Sequence, residues 1–170
     1  HTKMKAAQIL QTPAFTDFYK SATDFCGFME SELKNTANEF LQTSRIHLIG
    51  LYEAALQLPA VDLEITVEYE YAFNNLEFER VLSCIVERLG TSRYYWHIFN
   101  PSREEDTKPV CGDLSDDLGD MYKDLNRAIL LFNKPDAKEN ALWQFKFDFD
   151  NHWGDHCMNA LNAIHFYLQK

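Results

Sequence analysis

Apolar residues recur at helical spacing along most of the chain, which predicts amphipathic helices. The first begins at Thr12-Pro13, a hydroxyl N-cap followed by proline at the first helical position, and its apolar stripe continues to Leu33. A second begins near Asn35 or Thr36 and ends at Pro59, because proline cannot continue a helix.

The second half of the chain predicts three more helices. One covers about residues 75–89, with Gly90 as the residue that ends it. Another starts at Asp113, a favourable N-cap, and runs to Phe132. After a tight turn at 133–136, the last helix extends to about residue 168.

One stretch departs from the helical pattern. From Val61 to Phe73, apolar and polar residues alternate as in a half-buried strand. A lone strand leaves its backbone groups unpaired, and the only comparable alternation lies at Trp143–Phe149. We therefore favour an extended connector or the lead-in to a helix. The remaining segments are a short aromatic run at 94–99 and a polar loop at 100–112.

These elements predict an all-α fold: a bundle of about five or six helices with a C-terminal antiparallel helical hairpin. The 170 residues, 46% of them hydrophobic, suit a single domain over 1–170 with a sizeable core. Residues 1–11 are expected to be flexible or partly foreign to the native chain.

The net charge of −10 narrows the classes of partner. A negative potential repels phosphate backbones and anionic lipids, so neither nucleic acid nor a membrane is an expected partner. Metal ions and basic protein surfaces suit the charge better. The four widely spaced cysteines form no CxxC pair, which favours reduced thiols and a cytoplasmic location.

A stripe of carboxylates follows the helix after Asp113. Asp113, Asp117, Asp120 and Asp124 share one shoulder of its apolar face, and Asp116 lies further round. Like charges at this spacing repel, so a compensating group is expected. Asp113 is explained as an N-cap, whereas the later aspartates are not.

The last helix carries a matching polar face formed by Asp148, His152, Asp155, His156 and Asn159. Histidines at i and i+4 can bind one metal ion, with carboxylates completing the shell. In a hairpin folded near Pro135, the numbers of opposing residues sum to roughly 270. The predicted pairs are then Asp117 with His152, Asp113 with His156, and Asp120 with Asp148.

The favoured interpretation of this cluster is a structural polar network, followed by a metal site and then by metal-free acid–base chemistry. As a metal site, the cluster would supply five ligands. In a metal-dependent hydrolase, Asp124 or Asp155 would be the general base. Mixed imidazole and carboxylate ligands favour Zn, Mn or Fe over Ca, and Mg²⁺ is a further alternative. The predicted ligands are Asp117, Asp120, Asp148, His152 and His156.

Several motifs in the second half resemble a family of uncharacterised bacterial proteins known only as a domain of unknown function. They are the stretches at 112–125, 143–156 and 160–165, with Tyr95-Trp96 and 99–101, and the resemblance covers about residues 76–168. It implies a small bacterial helical domain and brings no activity that could be carried over. The matching positions include Asp116, Asp117, Asp120, Asp124, His152 and His156.

Three functions remain open at this stage. The favoured one is a non-enzymatic helical domain that binds a protein partner through an exposed apolar patch, for which Val61–Phe73 is the candidate. The second is a metal-dependent hydrolase, for instance of a phosphorylated small molecule. The third is a metal-storing or metal-sensing domain with the same ligands.

Overall fold

The computed structural model describes residues 4–32, 34–61, 73–98, 100–105 and 107–170. The fold is mainly all-α, as predicted. The helices are α1 (Ala6–Ile9), α2 (Pro13–Glu30), α3 (Ala37–Gln57), α4 (Asn75–Leu89), α5 (Leu114–Phe132), α6 (Lys138–Asp148) and α7 (Gly154–Tyr167), with a π-helical segment at Phe149–Trp153 between the last two.

The predicted helix starts are confirmed by their caps. Thr12 accepts a hydrogen bond from the amide of Phe15, and Thr36 forms a reciprocal capping box with Glu39. The side chain of Asp113 accepts from the amide of Ser115 at the start of α5. Each cap satisfies amides that the first turn of a helix leaves unpaired.

α5 lies at the centre of the bundle, where it packs against α2, α4, α6 and α7. Its buried face is the apolar stripe predicted from the sequence, and large aromatic side chains from the surrounding helices fill the space around it. The largest fully buried side chains are Trp153, Tyr122, Phe18, Phe25, Phe40 and Phe145.

Two short strands add to the predicted helices. β1 (Tyr94–His97) pairs antiparallel with β2 (Val110–Asp113), and Tyr95 lies opposite Gly112. They fall within the segments predicted as an aromatic run and a polar loop. Strands of four residues are too short for alternation to show clearly, so pattern alone did not reveal the pairing.

The long C-terminal helix is present but is interrupted by the π-helical segment. A π turn inserts one extra residue into the helix and shifts every later side chain around the axis. Glycine at 154 makes this possible, because a Cβ there would lie 2.4 Å from the carbonyl oxygen of Phe149. The Trp143–Phe149 alternation therefore belongs to a helix, not to a strand.

The predicted connector at Val61–Phe73 lies mostly outside the described residues, so its conformation and its apolar patch stay predictions. In the part of the chain that the structure describes, no helix is long and apolar enough to cross a membrane.

Candidate metal centre between α5 and the C-terminal helices

Asp113, the first aspartate of the stripe, has a structural role. Asp113 caps α5 and also receives a two-pronged ion pair from Arg93, whose Nε lies 2.9 Å from Oδ1 and whose Nη2 lies 2.6 Å from Oδ2. The Arg93 guanidinium and the Ser115 donors together lower the pKa of Asp113 against the opposing effect of burial. The hairpin register predicted that Asp113 pairs with His156. That prediction was wrong, because Asp113 pairs with Arg93.

Asp117 binds two partners with its two oxygens. It is only 5% exposed. Its Oδ1 lies 2.8 Å from His156 Nδ1, and its Oδ2 accepts a hydrogen bond of 2.5 Å from the Tyr95 hydroxyl. The hydrogen bond to Asp117 raises the pKa of His156, with nearby carboxylates adding to the effect and burial opposing it. Burial and the same carboxylate raise the pKa of Tyr95.

A second carboxylate–imidazole pair lies about two turns further along α5, at Asp124. His152 Nδ1 is 2.6 Å from Oδ2 of Asp124, whose side chain is mostly buried. His152 belongs to the π-helical segment, and its ring lies 4.8 Å from the His156 ring, centroid to centroid. Each imidazole therefore hydrogen-bonds a carboxylate of α5 through its Nδ1, which leaves its Nε2 for another partner.

Asp120 lies between these two pairs on α5. Its Oδ2 is 3.6 Å from Nε2 of His156. Asp120, His152 and His156 each offer one ligand atom, and these atoms all lie within 4.8 Å of one another. The three side chains are partly open to solvent, whereas Asp117 behind them is buried.

This spacing fits a small divalent ion. Metal–ligand bonds of about 2.1 Å at tetrahedral angles place neighbouring ligand atoms about 3.4 Å apart. The 3.6 Å between Asp120 Oδ2 and His156 Nε2 is close to that edge. The third ligand atom, on His152, lies within 4.8 Å of these two. Carboxylates on Nδ1 fix the orientation of imidazole ligands in many metal sites.

The other two predicted site residues lie apart from this group. Asp148 is half-buried and accepts a hydrogen bond of 2.7 Å from Gln144. Burial raises its pKa to about 6, with Asp124 adding to the increase while the Gln144 hydrogen bond, Arg127 and His152 oppose it. Asp155, one of the two predicted general bases, is exposed. Asp124, the other, is engaged by His152.

The two polar faces do meet, but the register is shifted from the predicted one. His156 lies opposite Asp117, where His152 was predicted, and His152 lies against Asp124. Asp120 faces His156, not Asp148. The predicted partner of Asp117 was wrong by about one helical turn, and that of Asp120 by about two.

Three residues of the site were missed by sequence reasoning: Arg93, Tyr95 and Gly112. A Cβ on Gly112 would lie 2.5 Å from Cζ of Tyr95, so the glycine lets the tyrosine ring lie flat across β2 and reach Asp117. The aromatic run and the isolated glycine before Asp113 were the available signals. Neither identifies a cross-strand contact without the pairing of β1 with β2.

Comparison with known proteins gives a fold relative and a family. A crystal structure of protein BF1032 from Bacteroides fragilis aligns with a TM-score of 0.79 at 21% identity, covering 95% of this chain and 99% of that one. At this identity the likeness shows the fold alone. None of the curated proteins matches the chain. A family model, described as a domain of unknown function (DUF5063), matches residues 10–170. This extends the resemblance seen in the second half to almost the whole sequence, and the chain belongs to that family.

Proposed function

We propose that this protein binds a divalent transition-metal ion through Asp120, His152 and His156. The proposal rests on one observation: both histidines contact an aspartate of α5 through Nδ1. Asp117 contacts His156, and Asp124 contacts His152. A carboxylate on Nδ1 fixes the tautomer that presents a lone pair at Nε2, and it makes that nitrogen a stronger ligand.

The surrounding charge supports a cation at this position. Asp116, Asp117, Asp120 and Asp124 are spaced one helical turn or less apart on α5. Burial raises the pKa of Asp116, and the negative charge of Asp120 adds to the increase. A divalent ion would offset the repulsion among these carboxylates.

The donor set favours some ions over others. Two imidazoles and one carboxylate suit Zn²⁺, Mn²⁺ or Fe²⁺, whereas Mg²⁺ and Ca²⁺ prefer oxygen ligands. Three protein ligands leave at least one coordination position for water or another molecule. A storage or sensing role needs only this arrangement.

A hydrolase would need further groups in addition to the ion. The described contacts place Asp124 on His152 and leave Asp155 exposed, so neither predicted base is held against the open coordination position. Geometry therefore supports metal binding better than a hydrolytic reaction, and hydrolysis of a phosphorylated small molecule remains the extension to assay once an ion is bound.

The decisive experiment is a titration of metal-stripped protein with Zn²⁺, Mn²⁺ and, without oxygen, Fe²⁺, in competition with a chelator of known affinity. We expect one ion per chain, with affinity lowered at least about tenfold by His152→Ala, His156→Ala or Asp120→Asn. His165→Ala is the matched control, since His165 is an exposed histidine on the same helix outside the cluster. Absence of binding, or equal binding by all variants, would overturn the proposal.

A protein-binding role is the second candidate, and an exposed aromatic surface favours it. Trp96 is 72% exposed, Phe166 61% and Tyr94 58%, and the three line one groove beside the β1–β2 hairpin. A contiguous patch of exposed apolar side chains favours association between proteins. Sedimentation velocity at rising concentration tests this for self-association. We expect an oligomer that Trp96→Ser abolishes, and a monomer at every concentration would contradict self-association.

A further inference from the structure

Arg88, in the last turn of α4, is a buried charge. The side chain is 8% exposed. Its guanidinium lies between two aromatic rings, 4.6 Å from the centroid of Phe28 and 4.1 Å from that of Phe40. Nη1 donates to the carbonyl oxygens of Phe28 and Ser31, at 2.9 and 3.3 Å. The two rings and the two carbonyls hold the guanidinium in one orientation.

The other edge of this guanidinium is unused. Within the described part of the chain, the Nε–H and Nη2–H of Arg88 find no acceptor. These two groups form the edge that binds a carboxylate or phosphate with parallel hydrogen bonds. Arg93 uses the same edge on Asp113 in this protein. A buried cation with an empty bidentate edge is costly, so an anionic partner would be stabilising.

Arg88 lines a cavity of about 520 Å³ between the end of α2 and α4. Ser31, Lys34, Asn35 and Cys84 also line it. Oδ1 of Asn35 is a second buried polar atom with no partner among the described residues. Arg88 and Asn35 therefore both line the cavity, and each has buried polar atoms without a partner among the described residues.

We propose that this cavity binds a small oxyanion through the free edge of Arg88, and that Asn35 accepts a hydrogen bond from a hydroxyl or N–H group of the same molecule. Glu32 and Glu87 lie on the cavity wall, although Glu32 pairs with Arg80 at 3.3 Å. Their charge disfavours a dianion, so a small hydroxy- or amino-carboxylate fits better than a phosphate monoester.

Cys84 provides a reporter inside the cavity, and the exposed Cys111 provides a reference in the same molecule. The native protein is treated with iodoacetamide in acetate, glycolate or phosphate, with chloride at equal ionic strength as the baseline, and the labelling rate of each cysteine is followed by mass spectrometry. We expect acetate and glycolate to slow labelling at Cys84, phosphate to slow it less, and none of the three to change labelling at Cys111. Glycolate should protect more strongly than acetate, since it adds only the hydroxyl that Asn35 would accept.

Two outcomes would overturn this proposal: no protection of Cys84, or equal protection of both cysteines. Arg88→Lys keeps the positive charge and removes the bidentate edge, so protection that persists in this variant also contradicts it.

A second measurement on the native protein keeps the test independent of that variant's folding. The rate ratio of anionic iodoacetate to neutral iodoacetamide should be about fivefold higher at Cys84 than at Cys111, as expected for one favourable charge contact. An equal or lower ratio at Cys84 would contradict the inference. Metal binding at the Asp/His cluster bears on neither result.

Discussion

Tyr95 and His156 bind the two oxygens of a single carboxylate, that of Asp117. The Tyr95 hydroxyl donates to Oδ2 at 2.5 Å, and His156 Nδ1 lies 2.8 Å from Oδ1. Tyr95 is on β1, whereas His156 is on α7. The small hairpin is thereby joined to the proposed metal ligand through one buried group, so changes in the hairpin should alter metal affinity without touching a ligand.

Tyr95→Phe removes one hydrogen bond and keeps the ring. Asp117 then loses a donor that holds its orientation, and His156 is less firmly positioned. We expect metal affinity to fall about tenfold, the lower end of the usual effect of losing a group behind a metal ligand. Competitive chelator titration measures this change.

The neighbouring Tyr94→Phe is the matched control, because its ring is exposed and the contact of residue 94 with Tyr167 uses the backbone carbonyl. Equal affinity in the wild type and Tyr95→Phe would show that Asp117 needs no support from the hairpin.

Gly112→Ala should destabilise the protein, because its Cβ would lie 2.5 Å from the Tyr95 ring. The ring must move or the strands must separate, at a cost of about 1–3 kcal/mol. Gly50→Ala is the control: it lies within α3, and its Cβ would meet no atom of the described residues within 4 Å. Alanine there should stabilise the helix by up to about 1 kcal/mol. Urea unfolding of both variants gives the comparison, and two changes of the same sign would contradict this reading.

The fold was largely predictable because its signals are local. Thr12, Thr36 and Asp113 each show in the sequence the cap that they form in the structure. The β1–β2 pairing depends on contacts between residues 13 to 19 positions apart, such as Tyr95 with Gly112. Local pattern carries little information about such contacts.

The site was predictable in its residue types but not in its pairing. In an antiparallel hairpin, side chains tilt towards the N-terminus of each helix, which adds about two to the sum of opposing residue numbers. The π turn adds one more. Together they raise the expected sum from about 270 to about 273, which is the sum for Asp117 and His156. The sum for Asp124 and His152 is 276, so these two effects do not account for that pair. The tilt could have been included from the sequence, whereas the π turn could not.

Asp148→Asn should stabilise the protein at pH 7. The pKa of Asp148 is raised to about 6, so the folded state favours its neutral form. Stability from this group is therefore present below about pH 4 and is lost as the pH rises through about 6. Asparagine keeps the acceptor for Gln144 and removes the charge. Allowing for partial exposure, we expect a gain of about 1–2 kcal/mol at pH 7 and none near pH 4. Urea unfolding at both pH values measures it, and a gain at pH 4 equal to that at pH 7 would contradict the assignment.

The pH dependence of stability should reverse when the metal binds. The pKa of His156 is raised in the folded state, mainly by Asp117. In metal-stripped protein, the contribution of His156 to the free energy of unfolding is complete below its pKa in the unfolded state, about 6.5. That contribution is lost as the pH rises through its pKa in the folded state. A bound ion replaces the Nε2 proton, so metal affinity should increase up to about tenfold per pH unit over the same range. Plots of unfolding free energy against pH, with and without Zn²⁺, should therefore diverge with rising pH.

His156→Asn is the control variant, because it keeps an N–H for Asp117 and cannot titrate. It should flatten the metal-free plot and remove the divergence. Parallel curves in the wild type would show that the ion and the proton do not compete for this nitrogen.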